Sequence, residues 1–200
     1  MSADEKIRIA VIIGSVRTDR FCPTPARWFA GLAGSRDDVE VDLIDLAELE
    51  IPTVLGGDDP EWRTPRPVEE LGRRLEAADA FTVVTPVYNR SYPASLKNAV
   101  DWFYGEWVLK PVAFVSYGGI TGGLQSIDHL RGVFTEFNAV PLRDSIMFPN
   151  FWKTFDEEGR VAGDPGADSR ASNLVDQLHW WAVSLKEARA ARKYPEAAGE

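Results

Sequence analysis

Apolar residues occur along the chain in short β-branched runs separated by amphipathic stretches. The run Ile7–Ile13 is almost entirely apolar, which predicts a parallel strand covered by helices on both faces. Similar runs predict strands at residues 39–44, 81–85, 112–115 and 140–148.

The stretches between these runs predict helices. In residues 124–137, apolar side chains recur every three or four positions, which is the period of an amphipathic helix. The same spacing predicts helices at residues 23–33, 68–78 and 169–192, and in the last of these it places Trp181 on the apolar face. A further helix starts at Pro93, since proline is tolerated in a first helical turn. This alternation indicates right-handed crossovers and an α/β three-layer sandwich.

Composition and charge narrow the class of protein. Two hundred residues with 44% hydrophobic composition suit a single domain spanning residues 1–200. A formal net charge of −9 argues against nucleic acid or anionic lipid as a partner. The single cysteine, Cys22, excludes an internal disulfide and a cysteine-based metal site, and it fits a reducing compartment. Neither a membrane-spanning run nor a cleavable signal pattern is visible, so we expect a cytoplasmic protein.

Three loops with unusual composition follow predicted strands. They contain GSVRTDRF at residues 14–21, VYNRSY at residues 87–92 and SYGGITGG at residues 116–123. Open α/β sheets bind ligands at the carboxyl ends of their strands. The three loops therefore predict one shared binding site.

The first loop is a candidate phosphate site. Ser15 offers a hydroxyl and Arg17 a guanidinium, while Arg20, Phe21 and Cys22 would contribute mainly backbone amides at the start of a helix. The alternative is a tight strand-to-helix turn with no ligand. The loop matches neither the Walker motif nor the triple-glycine dinucleotide fingerprint.

Together, the segments GSVRTDRFCP, TPVYNRSYPASLKNAVDW and VSYGGITGG resemble the NAD(P)H-dependent FMN reductase family, in particular its cytosolic quinone reductases. The resemblance extends over about residues 7–130. It implies a flavodoxin-like fold with a five-stranded parallel sheet of order 2-1-3-4-5, bound FMN, and NADPH or NADH as cosubstrate. It also implies a homodimer or tetramer in which the partner subunit completes the flavin pocket.

The resemblance also assigns residues to the cofactor. It implies that the FMN phosphate is bound by Ser15, Arg17 and the backbone amides up to Cys22. It places the isoalloxazine ring between two groups of residues. These are Pro86, Val87, Tyr88, Asn89 and Arg90 on one side and Ser116, Tyr117, Gly118 and Gly119 on the other. Two positions depart from the family pattern: Val87 stands where many relatives carry a polar or acidic residue, and Cys22 where some carry asparagine.

The chemistry of these residues agrees with that assignment. Amides of the Gly118–Gly119 pair can approach the ring and stabilise its reduced, negatively charged form. Tyr88 and Tyr117 are expected to form walls, and Arg90 can attract the phosphates of a nicotinamide dinucleotide. Hydride transfer uses the cofactor's own reactivity, so no dedicated catalytic residue is expected. Asn89 has the alternative role of a turn residue with left-handed backbone.

The leading functional hypothesis is an FMN-dependent NAD(P)H:quinone oxidoreductase. Hydride would pass from NAD(P)H to FMN N5, followed by two-electron reduction of quinones or azo compounds. The alternatives are a flavodoxin-type electron carrier, a redox-responsive flavin-binding interaction protein, and a reductase that releases reduced FMN. The motifs do not distinguish NADH from NADPH.

Several features have both structural and functional interpretations. The aromatic residues Trp102, Phe103, Tyr104 and Trp107, expected to continue the helix that starts at Pro93, fit either core packing or a homodimer interface. His129 and His179 have no second ligand at metal-binding spacing and are expected to be structural or solvated. Residues 51–67, including Trp62, are expected to form a long surface loop.

Overall fold

A parallel sheet runs through the middle of the protein, and the structure, a computed structural model, describes residues 6–56 and 63–195. Its strands are β1 (Ile7–Ile13), β2 (Val39–Asp45), β3 (Ala80–Pro86), β4 (Pro111–Gly118), β5 (Val140–Pro141) and β6 (Ile146–Pro149). Their order is β2-β1-β3-β4-β5, and β6 also pairs with β4. Every pairing between these strands is parallel. The predicted α/β fold with order 2-1-3-4-5 is confirmed.

Helices cover both faces of this sheet. They are α1 (Pro23–Gly34), α2 (Arg66–Ala77), α3 (Ala94–Asp101), α4 (Leu124–Glu136) and α5 (Ala167–Ala191), with a 3₁₀ turn at Phe151–Lys153. Alternate residues of β1 belong to different cores: Ile9 and Val11 pack with α1 and α5, whereas Ala10 and Ile12 pack with α2, α3 and α4. This is why the first strand is apolar throughout rather than alternating.

The fifth position of the sheet differs from the prediction. One continuous strand was expected at residues 140–148, but β5 and β6 are separate short strands. Val112 of β4 lies opposite Pro141, and Val115 lies opposite Ile146. The edge chain therefore advances by five residues over a distance that β4 covers in three. Proline has no N–H to donate, and an edge strand tolerates such an interruption.

An arginine on α4 compensates for the interrupted pairing. The Arg131 guanidinium donates to the carbonyl oxygen of Leu142 and, at 2.7 Å, to that of Arg143. Carbonyl groups that lose ladder partners at the edge are thereby satisfied by a side chain.

Two aromatic predictions are also corrected. Helix α3 ends at Asp101, and the following turns bury Phe103 and Trp107 in the core that contains α2, α3 and α4. Only Tyr104 of that aromatic group is well exposed, at 58%. Trp181 is 37% exposed instead of lying on the apolar face of α5. Half of the buried residues of that helix are alanines, which allow close packing on the sheet; the buried residues are Ala167, Ala171, Leu174, Val175, Leu178 and Ala182.

The predicted surface loop is described only at its two ends. Residues 51–56 and 63–65 are described, the last two residues of the predicted loop begin α2, and Trp62 lies outside the described residues. The Asn98 side chain donates to the carbonyl of Pro52 at 3.0 Å, and the Trp102 indole donates to the same oxygen at 2.9 Å. The beginning of this loop is therefore anchored to α3. None of the helices within the described ranges combines the length and apolar composition needed to cross a lipid bilayer.

A buried hydroxyl in β3 gives the first testable prediction. The Thr82 side chain is fully buried, and its Oγ1 has no hydrogen-bond partner among the described residues. Thr82→Val removes this unsatisfied group at almost constant volume, so we expect the free energy of unfolding to rise by about 1 kcal/mol. Chemical denaturation measures the change. Thr82→Ser is the matched control: it keeps the hydroxyl and loses the methyl group, and it should be destabilising. A less stable Thr82→Val protein would show that the hydroxyl has a partner.

Candidate functional site

The three strand-end loops meet around one cavity. Its volume is about 370 Å³, within the usual range for small-molecule sites. Nine of the fourteen predicted site residues line it, namely Arg17, Arg20, Phe21, Pro86, Val87, Tyr88, Tyr117, Gly118 and Gly119. The other predicted residues, which are Ser15, Cys22, Asn89, Arg90 and Ser116, are not part of the lining.

The backbone of the first loop forms hydrogen bonds to β3 and to α3. The Gly14 amide donates to the Val84 carbonyl at 2.9 Å, and the Gly14 carbonyl accepts from the Ser95 hydroxyl at 3.1 Å. A Cβ at Gly14 would lie 3.0 Å from the Val84 oxygen and 3.1 Å from a methyl group of Leu96. This close approach explains why glycine begins the loop.

Ser15 connects the first loop to the second. Its side chain is fully buried, and its Oγ lies 2.8 Å from the Tyr88 hydroxyl. Ser15 therefore supports the cavity from behind, and Tyr88 is the residue of this pair that reaches the lining.

The two arginines of the first loop have different environments. Arg17 is exposed at the cavity, and its guanidinium makes no hydrogen bond or ion pair within residues 6–56 and 63–195. Arg20 instead donates to Asp45 at 2.5 Å, at the carboxyl end of β2. Asp45 is itself held by the backbone amide of Ala47 at 3.0 Å. Arg17 is thus the cation available to an anionic ligand, whereas Arg20 is neutralised by a carboxylate.

An aromatic wall closes one side of the cavity. The ring centroid of Phe21 lies 5.5 Å from that of Tyr117 and 4.5 Å from that of Phe151. Tyr117 and Phe151 are 5.1 Å apart and almost perpendicular. Burial raises the pKa of the Tyr117 hydroxyl, and the neighbouring Cys22 raises it further. Tyr117 therefore stays neutral and acts as a wall.

Phe151 is a lining residue that the sequence analysis missed. It lies just beyond β6, between the strand predicted at residues 140–148 and the helix predicted at residues 169–192. The rule that identified the other three loops would have found it, because Phe151 follows the carboxyl end of the strand at the fifth position of the sheet.

The second loop contains a tight turn from Tyr88 to Ser91. The two residues exchange backbone hydrogen bonds of 2.7 and 3.0 Å. Asn89 and Arg90 between them both have positive φ, 49° and 70°, as in a type I′ turn. Both side chains are exposed. This geometry favours the alternative interpretation of Asn89 as a turn residue. The turn is also linked to α4, since the Ser91 hydroxyl lies 3.0 Å from His129 Nδ1.

The glycine loop has a structural part and an open part. Ser116 donates to the Gly122 carbonyl at 2.7 Å, and a Cβ at Gly123, where φ is +93°, would lie 2.7 Å from that of Ser116. Ser116 and Gly123 therefore shape the loop rather than line the cavity. In contrast, a Cβ at Gly119 would meet nothing within 4 Å. Packing within the described residues does not require glycine there, and its absent side chain leaves open space at the cavity.

The fold and the cavity together define a class of protein. A parallel sheet of order 2-1-3-4-5 with a polar and aromatic cavity at the carboxyl ends of β1, β3 and β4 is typical of flavodoxin-like flavoproteins. The chain belongs to the NADPH-dependent FMN reductase family, whose model matches residues 7–153.

Individual relatives agree with this family. An NAD(P)H-dependent FMN reductase of Schizosaccharomyces pombe is 34% identical over 151 residues, covering 71% of this chain and 74% of the relative. A 2-hydroxy-1,4-benzoquinone reductase of a Burkholderia species is 34% identical over 148 residues, covering 71% and 78%. The quinone reductase of Escherichia coli K12 is 32% identical over 141 residues, covering 68% and 73%.

A solved structure extends the similarity to most of the chain. The NAD(P)H:(acceptor) oxidoreductase FerB from Paracoccus denitrificans superposes with a TM-score of 0.71 at 28% identity, covering 89% of this chain and 98% of that protein. The chain is an NAD(P)H-dependent flavin oxidoreductase of a family that uses FMN. The predicted family, enzyme class and cofactor are confirmed.

Cys22 gives the second testable prediction. Its thiol is fully buried, donates to the Val84 carbonyl at 3.2 Å, and has a pKa raised to about 11, chiefly by burial. The unfolded thiol, with a pKa near 9.0, loses its proton first as the pH rises. Between pH 9 and 11 the unfolded state is therefore stabilised, and the thiol should lower the free energy of unfolding by about 1.4 kcal/mol per pH unit.

Denaturation of the wild type and of Cys22→Ala across this pH range measures the effect. The difference in unfolding free energy between the two proteins isolates the thiol from other titrating groups. A difference that stays constant from pH 8 to pH 11 would show that the Cys22 pKa is not raised. In the native protein at pH 8, the thiol should also react with a disulfide reagent far more slowly than after unfolding.

Proposed function

We propose that this protein is an FMN-dependent NAD(P)H:quinone oxidoreductase that also accepts azo compounds. The observation that carries the proposal is the convergence of three loops on one cavity. At one side of it lies Arg17, which has no ionic partner among the described residues, and at Gly119 there is open space. The quinone reductases among its relatives support the choice of acceptor.

The residues around the cavity fit FMN. A phosphate needs a positive charge, and Arg17 has neither an ion pair nor a hydrogen bond within the described part of the chain. The same loop leads into the N-terminus of α1, whose backbone amides favour an anion. A planar ring needs an apolar wall and close backbone approach, which Tyr88, Val87 and Gly119 offer.

Each of these residues then has a defined role. FMN, when bound, supplies the hydride and electron chemistry that links NAD(P)H to the acceptor. Arg17 binds the phosphate, and Ser15 holds the loop in place through Tyr88. Phe21, Tyr117 and Phe151 exclude water from one side of the cavity. Arg90, exposed on its turn, attracts the phosphates of the nicotinamide dinucleotide.

The third prediction tests the cofactor and the reaction together. The purified protein should show a flavin absorption spectrum, or acquire one with added FMN, and should oxidise NADPH or NADH when benzoquinone or an azo dye is present. In Arg17→Gln, loss of a charged hydrogen bond should weaken FMN binding about tenfold or more. Riboflavin has no phosphate, so its affinity should be unchanged.

Arg27→Gln is the matched control, because Arg27 is an exposed arginine of α1 outside the cavity. It should bind FMN as the wild type does. A colourless protein that cannot be reconstituted with FMN would refute the proposed function. An equal loss of FMN and riboflavin affinity in Arg17→Gln would refute only the phosphate-binding role.

We also infer that the protein forms a homodimer, or a tetramer built from such dimers, in which a second copy covers the cavity. Two apolar side chains at the cavity rim support this: Ile120 is 90% exposed and Trp152 is 59% exposed, each next to a lining residue. Light scattering should give at least twice the mass of one chain. Ile120→Asp should favour the monomer, whereas Val54→Asp, at another exposed apolar position, should not. A monomeric wild type would refute the inference.

We further propose that residues 1–200 act as one flavodoxin-like FMN-binding domain in the cytoplasm. The packing of α1 and α5, from opposite ends of the chain, on the same face of the sheet supports a single domain. The lone buried cysteine fits a reducing compartment. A single unfolding transition and cell fractionation check these two points.

A further inference from the structure

A second cavity lies near the amino end of β4, whereas the candidate flavin site lies at the carboxyl end of that strand. We call it the C-terminal pocket. It has a volume of about 380 Å³ and lies between the last turns of α5 and the segment that precedes β4. Its apolar lining consists of Leu109, Leu185, Ala188, Tyr194 and Pro195. Its basic residues are Arg189, Arg192 and Lys193.

Arg189 is an incompletely neutralised cation in this apolar setting. It is half-buried, and its guanidinium donates to the carbonyl of Leu109 at 2.5 Å. Within residues 6–56 and 63–195, that neutral oxygen is its only hydrogen-bond partner. Burial lowers the pKa of Arg189, and the nearby carboxylate of Asp79 offsets this only in part. A guanidinium has five donors, so most of the Arg189 donors have no acceptor among the described residues.

Asp79 is also shared with other groups. Its Oδ2 accepts from the Arg8 amide at 3.0 Å and from Lys186 Nζ at 3.0 Å. A third cation, Lys110, is buried nearby and donates to the carbonyls of Leu75 and Glu76, at the end of α2. Burial, and then repulsion from Arg189, lowers the pKa of Lys110 to about 8. Glu106 and Glu76 also lie near Lys110 and act against this lowering. Within the described residues, none of these carboxylates forms a hydrogen bond or ion pair with Arg189.

We propose that the C-terminal pocket binds a small organic anion with an apolar body, such as a medium-chain carboxylate. The carboxylate pairs with Arg189, and the apolar body packs against Leu109, Leu185 and Ala188. An anion supplies the missing partner of a partly desolvated cation, and the apolar lining gains from burial of a hydrocarbon chain. The flavin site lies at the other end of β4, so the two ligands do not compete for space.

Calorimetric titration of the FMN-saturated protein with sodium octanoate tests this site, because bound FMN blocks the first cavity. We expect saturable binding of one octanoate per chain. The neutral counterpart 1-octanol should bind at least about tenfold more weakly, since it cannot form the charged hydrogen bond. Arg189→Gln keeps a donor for the Leu109 carbonyl and should lose a similar factor in octanoate affinity. Ala188→Phe fills the pocket and should abolish binding.

Arg160→Gln is the control, because Arg160 is an exposed arginine that pairs with Asp156 in the loop before α5 and does not line the C-terminal pocket. Its octanoate affinity should equal that of the wild type. The proposal is overturned if octanoate does not bind the full chain saturably, if octanol binds as tightly, or if Arg189→Gln binds like the wild type. The comparison of octanoate with octanol uses wild-type protein and does not depend on the folding of any variant. If the protein takes up no FMN, the same titrations on the FMN-free chain with the Arg189 variant still decide the question, independently of the proposed function.

Discussion

The parallel pairing of β1, β3 and β4 is the constraint on which the rest of the structure depends. Ile13 lies opposite Val84, and Val84 lies opposite Val115, so the three strands reach the same level of the sheet. Parallel strands point their carboxyl ends in one direction. Three loops that are far apart in the sequence therefore leave the sheet side by side, and their functional groups share one cavity.

Polar side chains then hold these loops in a defined arrangement. A hydrogen bond between the side chains of Ser15 and Tyr88 connects the first and second loops. The Ser126 hydroxyl of α4 donates to the Pro86 carbonyl at 2.9 Å, where the second loop begins. The Asn150 amide donates to the Gly119 carbonyl at 2.8 Å, which connects the end of β6 to the glycine loop. A site held by such contacts is organised before its ligand arrives, and this lowers the cost of ordering on binding.

Local patterns predicted most of this architecture because they act over short distances. The apolar run of β1 and the three-and-four spacing of α4 were recognisable without any tertiary information. These patterns did not predict the structure where contacts with residues distant in the sequence determine it. Pro141 interrupts the edge strand, and the turns after α3 direct Trp107 into the core, although its sequence context also fitted an exposed interface. Within α5, Ala182 is fully buried, whereas its neighbour Trp181 is 37% exposed.

The sequence alone determined the fold class, the family and the three loops, because the hydrophobic period and the loop composition are properties of short segments of the chain. Tertiary structure decided what each loop residue does. Ser15, Cys22 and Ser116 became buried supports, whereas Arg17 and Gly119 remained available at the cavity. It also brought Phe151 into the wall and paired Arg20 with Asp45. Side-chain direction and ionic partners depend on residues distant in sequence, and only folding brings these together.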